Sequence, residues 1–303
     1  MPLSGSICAI ATPFRPSDDA IDLPAFAGLI DHLIDAGTSA IVLGGSTGEA
    51  AMLDAGEFEQ LLAAGVSHVG GRVPTLAGTG LSGTRNTIAQ TQRARDMGVD
   101  GALVATPPYV RPTQEGLYRH YCEVAEHGGL PVVLYNVPSR TACDMLPDTV
   151  ARLARHGNIV GIKEAVSEPA RMQALLALRG ADFVVLSGDD ASAARAMLAG
   201  ADGVVSVAAN VDPARMARLA RLCRTDPLAA QALDGELQAL YALLGCEPNP
   251  IPLKWCLAQL GHGQAQLRLP LLPLNARHHA AGRAALVSLG LVEASAASGR
   301  LAG

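Results

Sequence analysis

The stretch PVVLYNVPSRTACDMLPDTVARLARHGNIVGIKE, residues 131–164, holds the pattern that decides the fold. Pro131–Tyr135 and Ile159–Lys163 are short, β-rich, apolar runs that end in polar groups. Between them, Pro147–Ala154 opens on a proline and carries apolar residues at the 3.6-residue period of a helix. Strand, helix and strand in that order form a βαβ unit, whose two strands are parallel. Strands that are continuously apolar, rather than alternately so, are buried on both faces, as in a parallel sheet covered by helices.

The alternation continues outward in both directions. Further strand candidates lie at Ser6–Ala11, Ala40–Gly44, Val73–Ala77, Gly101–Ala105, Phe183–Ser187 and Gly203–Val207. Amphipathic stretches separate them: Leu23–Ala36, Asp54–Val69, Thr84–Met97, Gln114–His127, Pro169–Leu178, Ala191–Leu198 and Pro213–Arg224. Eight such units in about 225 residues fit a closed (β/α)₈ (TIM) barrel better than an open doubly wound sheet. No G-x-G-x-x-G follows the first strand, which disfavours dinucleotide binding. After Thr225-Asp226-Pro227 the strand signal stops, and residues 227–290 read as three helices broken at Glu247-Pro248-Asn249-Pro250 and at Leu269–Pro273. The expected organisation is an α/β catalytic barrel over 1–226, a helical appendage over 227–292 and a small, polar, disordered tail over 293–303.

Composition narrows the function. The 303 residues are 49% hydrophobic and 17% charged, with a net charge of −5. That excludes a broad basic surface for nucleic acid. No apolar run approaches the ~20 residues of a membrane span. The N-terminus, MPLSGSICAIATPF, has neither the basic region nor the long apolar region of a secretory signal, so the cytoplasm is expected. Cys8, Cys122, Cys143, Cys223, Cys246 and Cys256 are scattered without a C-x-x-C pair, and the eight histidines show no metal-binding spacing. Reduced thiols and no metal site are expected. Of 23 basic residues only Lys163 and Lys254 are lysines, which leaves 23 − 2 = 21 arginines. Arginine stays protonated and cannot act as a nucleophilic amine, so the position of each lysine carries information.

In such barrels the chemistry sits at the carboxyl ends of the strands. Those ends read Gly44-Gly45-Ser46-Thr47-Gly48-Glu49, Thr106-Pro107-Pro108-Tyr109, Tyr135-Asn136-Val137-Pro138-Ser139-Arg140, Lys163-Glu164 and Gly188-Asp189-Asp190. Lys163 ends an apolar run, so its amine is expected to lie in the barrel mouth, where desolvation disfavours the charged form. A neutral amine attacks a ketone to give a Schiff base, and the protonated imine is an electron sink. The bland reading is an ammonium paired with Glu164 or reaching solvent. Tyr135, on the neighbouring strand, can shuttle protons, though a buried tyrosine is more often a packed one with a satisfied hydroxyl. The glycine-rich turn offers hydroxyls and bare N–H groups to a carboxylate, and it lacks the Gly-Lys-Ser/Thr ending of a P-loop. Arg140 carries a planar fork suited to a carboxylate, against the default of a surface arginine. On spacing alone, Gly188-Asp189-Asp190 is an N-cap for the following helix.

With these residues in view, the chain resembles the dihydrodipicolinate synthase family, within the N-acetylneuraminate lyase superfamily of class I pyruvate aldolases. GSICAIATPF, GGSTGE, AGTG, YNVPSRTACDMLP, GIKEA, LSGDDASA, EPNPIPLKW and RLPLLPL carry the likeness over nearly the full length. GIKEA is specific for the chemistry and YNVPSRT for the substrate. The resemblance implies that Lys163 binds pyruvate covalently and that Tyr135, Ser46 and Tyr109 form a proton relay, Tyr109 reaching a neighbouring subunit's site. It implies that Thr47 holds the pyruvate carboxylate, that Val205 and Gly188 line the substrate side, and that Arg140 receives L-aspartate 4-semialdehyde. The product would be 4-hydroxy-tetrahydrodipicolinate, on the route to diaminopimelate and lysine. The resemblance also implies no metal or organic cofactor, and a homotetramer built as a dimer of dimers.

Two departures from the family stand out. Ser46 occupies a position where the relay usually has threonine, which keeps the hydroxyl and loses the methyl that restricts its rotamers. At the interface where lysine-inhibited relatives place polar groups, this chain has Ala55, Phe58, Ser82, Asn86 and Pro108. Insensitivity to L-lysine is therefore expected. The competing readings are a pyruvate-dependent aldolase or dehydratase acting on a sugar acid, a weakly active keto-acid sensor, and a purely structural barrel. Arg140 argues against the first, the intact lysine and tyrosines against the second, and the polar strand ends against the third.

Overall fold

Eight parallel strands close on themselves, each hydrogen-bonded to its neighbours in chain order and the last to the first. They are β1 (Gly5–Ala9), β2 (Ala40–Leu43), β3 (Thr75–Gly78), β4 (Gly101–Ala105), β5 (Val132–Asn136), β6 (Ile159–Glu164), β7 (Val184–Ser187) and β8 (Gly203–Ser206). This computed structural model describes residues 3–293, so the expected tail lies, apart from Glu293, outside the described residues.

Among the described residues, nine α-helices lie between or directly after the strands: α1 (Leu23–Asp35), α2 (Ala55–Val69), α3 (Thr84–Asp96), α4 (Gln114–His127), α5 (Pro138–Thr141), α6 (Pro147–Leu153), α7 (Pro169–Leu176), α8 (Asp190–Leu198) and α9 (Pro213–Thr225). Several start on caps readable in the sequence. Asp54 and Glu57 make a reciprocal capping box on α2. Thr113 caps α4, and Asp189 caps α8 by accepting from Ser192 N at 3.0 Å. Three further α-helices follow: α10 (Pro227–Leu244), α11 (Ile251–Gln259) and α12 (His279–Ser288).

The apolar side chains divide into two shells, and the division follows the strand pleat. Ile7, Ala9, Ala40, Val42, Leu76, Leu103, Val133, Tyr135, Leu186 and Val205 form one buried cluster drawn from seven strands, which fills the barrel. Their chain neighbours Cys8, Ile41, Ala77, Ala102, Val104, Val132, Leu134, Val185 and Val204 belong to the other cluster, packed under the helices, as does Ile162 of β6. The expected continuous apolar strands are thus buried on both faces. Boundaries differ from the expected ones by a residue or two. The short helix α5 inside YNVPSRT was not foreseen, and the second appendage helix stops at Gln259. Among the described residues no helix is long and apolar enough to cross a membrane.

Candidate active site

Lys163 points into the barrel because its chain neighbour Ile162 packs in the outer shell, and side chains alternate along a strand. Its register partner on β5 is Tyr135, whose neighbours Leu134 and Asn136 face the other way. The Lys163 Nζ lies 4.1 Å from the centroid of the Tyr135 ring. Both residues are buried, at 5% and 8% exposure. Gly188, just past β7, makes room for the lysine: a β-carbon there would stand 3.0 Å from both Cγ and Cε of Lys163. Val205 belongs to the same interior cluster as Tyr135.

Glu164 is not the partner of Lys163. It points to the outer side of the barrel, 1% exposed, and pairs with Arg171 Nε at 3.2 Å. Asn136 Nδ2 donates to both of its oxygens at 3.1 Å, and the Val166 amide donates to one at 2.8 Å. Asp144 closes the network, accepting from Asn136 Nδ2 at 2.9 Å and from Arg171 Nη2 at 2.7 Å. Burial pushes the Glu164 carboxyl up to about 7, against the opposing pull of these donors and of Arg171.

The rim of the site is the turn after β2. Gly44 sits at φ 55°, and a β-carbon there would come within 2.8 Å of the Phe58 ring. Gly48 N donates to Gly45 O at 3.0 Å and Glu49 N to Ser46 O at 3.2 Å, which folds the turn upon itself. Thr12 Oγ1 donates to Gly48 O at 2.8 Å and ties the turn to the segment that follows β1. Within it Ser46 is exposed and Thr47 is buried. Thr47 Oγ1 accepts from Asn249 Nδ2 at 3.0 Å, and the Asn249 carbonyl accepts from Arg140 Nη2 at 2.8 Å. Asn249 therefore joins two of the anticipated site residues, although sequence reading gave it no role. Its Oδ1 is buried and has no hydrogen-bond partner among the described residues. The only signal was its place in EPNPIPLKW. Tyr109 is 91% exposed, its amide held by Thr141 O at 3.2 Å.

The structure thus brings Lys163, Tyr135 and Gly188 together, with Val205 in the same interior cluster. It joins Thr47 to Arg140 at the rim, and leaves Ser46 and Tyr109 facing outward. Lys254, the second lysine, is on α11, paired with Glu49. Burial pulls its ammonium down to about 8, opposed by that carboxylate. Among the described residues no group of three or more histidine, cysteine, aspartate or glutamate side chains could hold a metal ion.

A closed parallel barrel with a buried lysine and tyrosine at the carboxyl ends of adjacent strands defines the class, a (β/α)₈-barrel enzyme. Comparison with known proteins gives the family. The profile of the Dihydrodipicolinate synthetase family matches residues 2–288. The chain is 58% identical over 284 residues to the 4-hydroxy-tetrahydrodipicolinate synthase of Xanthomonas campestris pv. campestris, covering 93% of each chain. It is 56% identical over 282 residues to the same enzyme of Stenotrophomonas maltophilia, covering 93% of this chain and 94% of the relative. The crystal structure of the chloride-inhibited dihydrodipicolinate synthase of Acinetobacter baumannii, complexed with pyruvate, superposes with a TM-score of 0.93 at 41% identity, covering 95% of this chain and 99% of that one. The chain belongs to the dihydrodipicolinate synthase family, and it is a lyase of that family.

Proposed function

We propose that this enzyme condenses pyruvate with L-aspartate 4-semialdehyde through a Schiff base on Lys163. The observation that carries the reading is the placement of Lys163: dry, inside the mouth, beside Tyr135, with space cleared by Gly188. The amine adds to the pyruvate ketone, and the carbinolamine loses water to give an imine. Loss of a methyl proton gives an enamine, with the imine nitrogen taking up the electron pair. The enamine carbon attacks the aldehyde. The amino group of the adduct then displaces Lys163 by transimination, closing the six-membered ring of 4-hydroxy-tetrahydrodipicolinate and returning the free lysine.

In this scheme Tyr135 carries protons at the reacting carbon and oxygen, with Ser46 and Tyr109 completing the relay, a role for Tyr135 supported by its ring lying beside Lys163. Thr47 and the amides of its turn receive the pyruvate carboxylate, and Val205 lines the pocket. Arg140, exposed at the rim, receives the carboxylate of the semialdehyde, for which a guanidinium fork is well matched. The protein amine supplies the electron sink, so the scheme uses no added cofactor. The relatives' names and the pyruvate in the Acinetobacter complex support the substrate pair. In this reading residues 1–226 form the catalytic barrel and 227–292 a helical domain, and the enzyme acts in the cytoplasm.

Tyr109, at 91% exposure, stands beside Val110 at 53%, and Ser82 Oγ donates to the neighbouring Pro108 O at 3.0 Å. These two exposed side chains are available to an interface between copies of the chain, and the assembly proposed is a homotetramer of paired dimers. Phe58 is buried against Gly44, Ala55 is apolar, and no charged side chain is among the five positions, which leaves Ser82 and Asn86 as the polar side chains there. A cationic amino acid would find little there to bind, which supports insensitivity to L-lysine.

Mixing the enzyme with pyruvate and a panel of aldehydes tests the substrate assignment. Rapid pyruvate consumption with L-aspartate 4-semialdehyde, and not with sugar-derived aldehydes, is the expected result. Preference for a sugar-derived aldehyde would contradict it.

A further inference from the structure

Lys254 is the only lysine besides Lys163, and the reaction just described does not use it. Its side chain is buried on α11, where Nζ pairs with Glu49 Oε1, donates to Gln266 O at 2.8 Å and lies 4.0 Å from the Phe14 ring centroid. Glu49 is 1% exposed, and its second oxygen accepts from Arg268 N at 3.2 Å. It ends the rim turn two residues after Thr47, with a left-handed backbone at φ 56°. A non-glycine residue keeps that conformation only where its surroundings over-determine it. The same segment of the appendage grips the turn a second time, through the Asn249 amide on Thr47 Oγ1.

A buried ion pair is a poor source of stability, since desolvation offsets most of its attraction and apolar replacements of similar volume often fold as well. Stability alone therefore gives no reason for placing two charges here. We propose that the Glu49–Lys254 pair is a positioning device that holds the Ser46–Glu49 turn in the shape that receives the pyruvate carboxylate, making the helical appendage part of the substrate site. Neither residue touches substrate. Both act through Thr47 and the amides of the turn, so the inference rests on that turn being the pyruvate pocket.

The test is borohydride trapping of pyruvate on the full-length chain across a range of pyruvate concentrations. Wild type is compared with Glu49→Asp, Lys254→Met and the double variant Glu49→Gln/Lys254→Met. Glu49→Asp keeps the charge and withdraws the carboxylate by one methylene. The double variant leaves no buried charge unpaired. The half-saturating pyruvate concentration should rise about tenfold or more in every variant, because small misplacements of a binding group weigh heavily on its geometry. Trapping at saturating pyruvate should approach the wild-type extent. The double variant should melt near wild type and still need the extra pyruvate, a split that lost folding would not produce. Wild-type half-saturation in Glu49→Asp or in the double variant overturns the proposal. Should Lys254→Met fail to fold, those two decide the matter. Absence of trapping in wild type itself would instead bring down the pyruvate reading on which the inference stands.

Discussion

The hydroxyl of Tyr135 is the one polar atom on a side chain that otherwise packs with the apolar barrel filling. Tyr135→Phe keeps the ring beside Lys163 and removes only that atom. If the phenol carries protons in the reaction, kcat should fall by about 10²–10⁴, the usual worth of a positioned acid or base, while circular dichroism and melting stay close to wild type. A kcat within a few-fold of wild type would reduce Tyr135 to packing. Arg140 asks a different question. Arg140→Ala should raise KM for the semialdehyde about ten- to a hundredfold, as loss of a charge-assisted hydrogen bond does, and leave KM for pyruvate nearly unchanged. Equal effects on both would place Arg140 on the pyruvate side. Lys163 and Tyr135 were legible in the sequence because each ends an apolar run and alternation fixes where it points. Asn249 was not, since its partner Thr47 lies 202 residues away. Lys254 stood out by rarity, but nothing local to it announced a carboxylate on a distant turn.

At the level of elements, β6 places opposite chemistry on its two faces. Lys163 enters the mouth, and Glu164 is buried behind it with Asn136 and Arg171. The Glu164 carboxyl is raised from 4.5 to about 7, so in this interval the folded chain binds a proton that the unfolded chain has released. Stability is therefore lost as pH rises through that window, by on the order of 3 kcal/mol. Glu164→Gln removes the titration, and its melting temperature should vary less than wild type's between about pH 5 and about 7.5. Parallel curves for the two proteins would show that Glu164 does not titrate there. The elements themselves were largely legible, because continuous apolar strands alternate with capped, periodic helices. Strand ends shifted by a residue or two, since hydrogen-bond register decides them. Helix α5 gave no sequence signal because four residues that begin on a proline are too few to show a helical period. The second appendage helix ends at Gln259, just before Leu260-Gly261, with Gly261 at φ 77°.

For the whole molecule, the barrel followed from the eightfold repeat, whereas the contacts of Asn249 and Lys254 with the turn after β2 have no sequence period to reveal them. Assembly is equally hidden, apart from one exposed tyrosine. Sedimentation should give four copies per particle, and dilution below the association range should lower specific activity as Tyr109 loses the neighbouring site. A fully active monomer would refute that role for Tyr109. Millimolar L-lysine should leave the initial rate unchanged, and a substantial fall would show that Ala55, Phe58, Ser82, Asn86 and Pro108 form a working regulatory pocket. The most direct measurement is reduction with borohydride in the presence of pyruvate, followed by peptide mass mapping of the whole chain. With two lysines in the sequence the outcome has few forms. The account predicts a reduced pyruvate adduct on Lys163, absent without pyruvate and absent in Lys163→Ala. An unmodified Lys163, or an adduct on Lys254 instead, would contradict it.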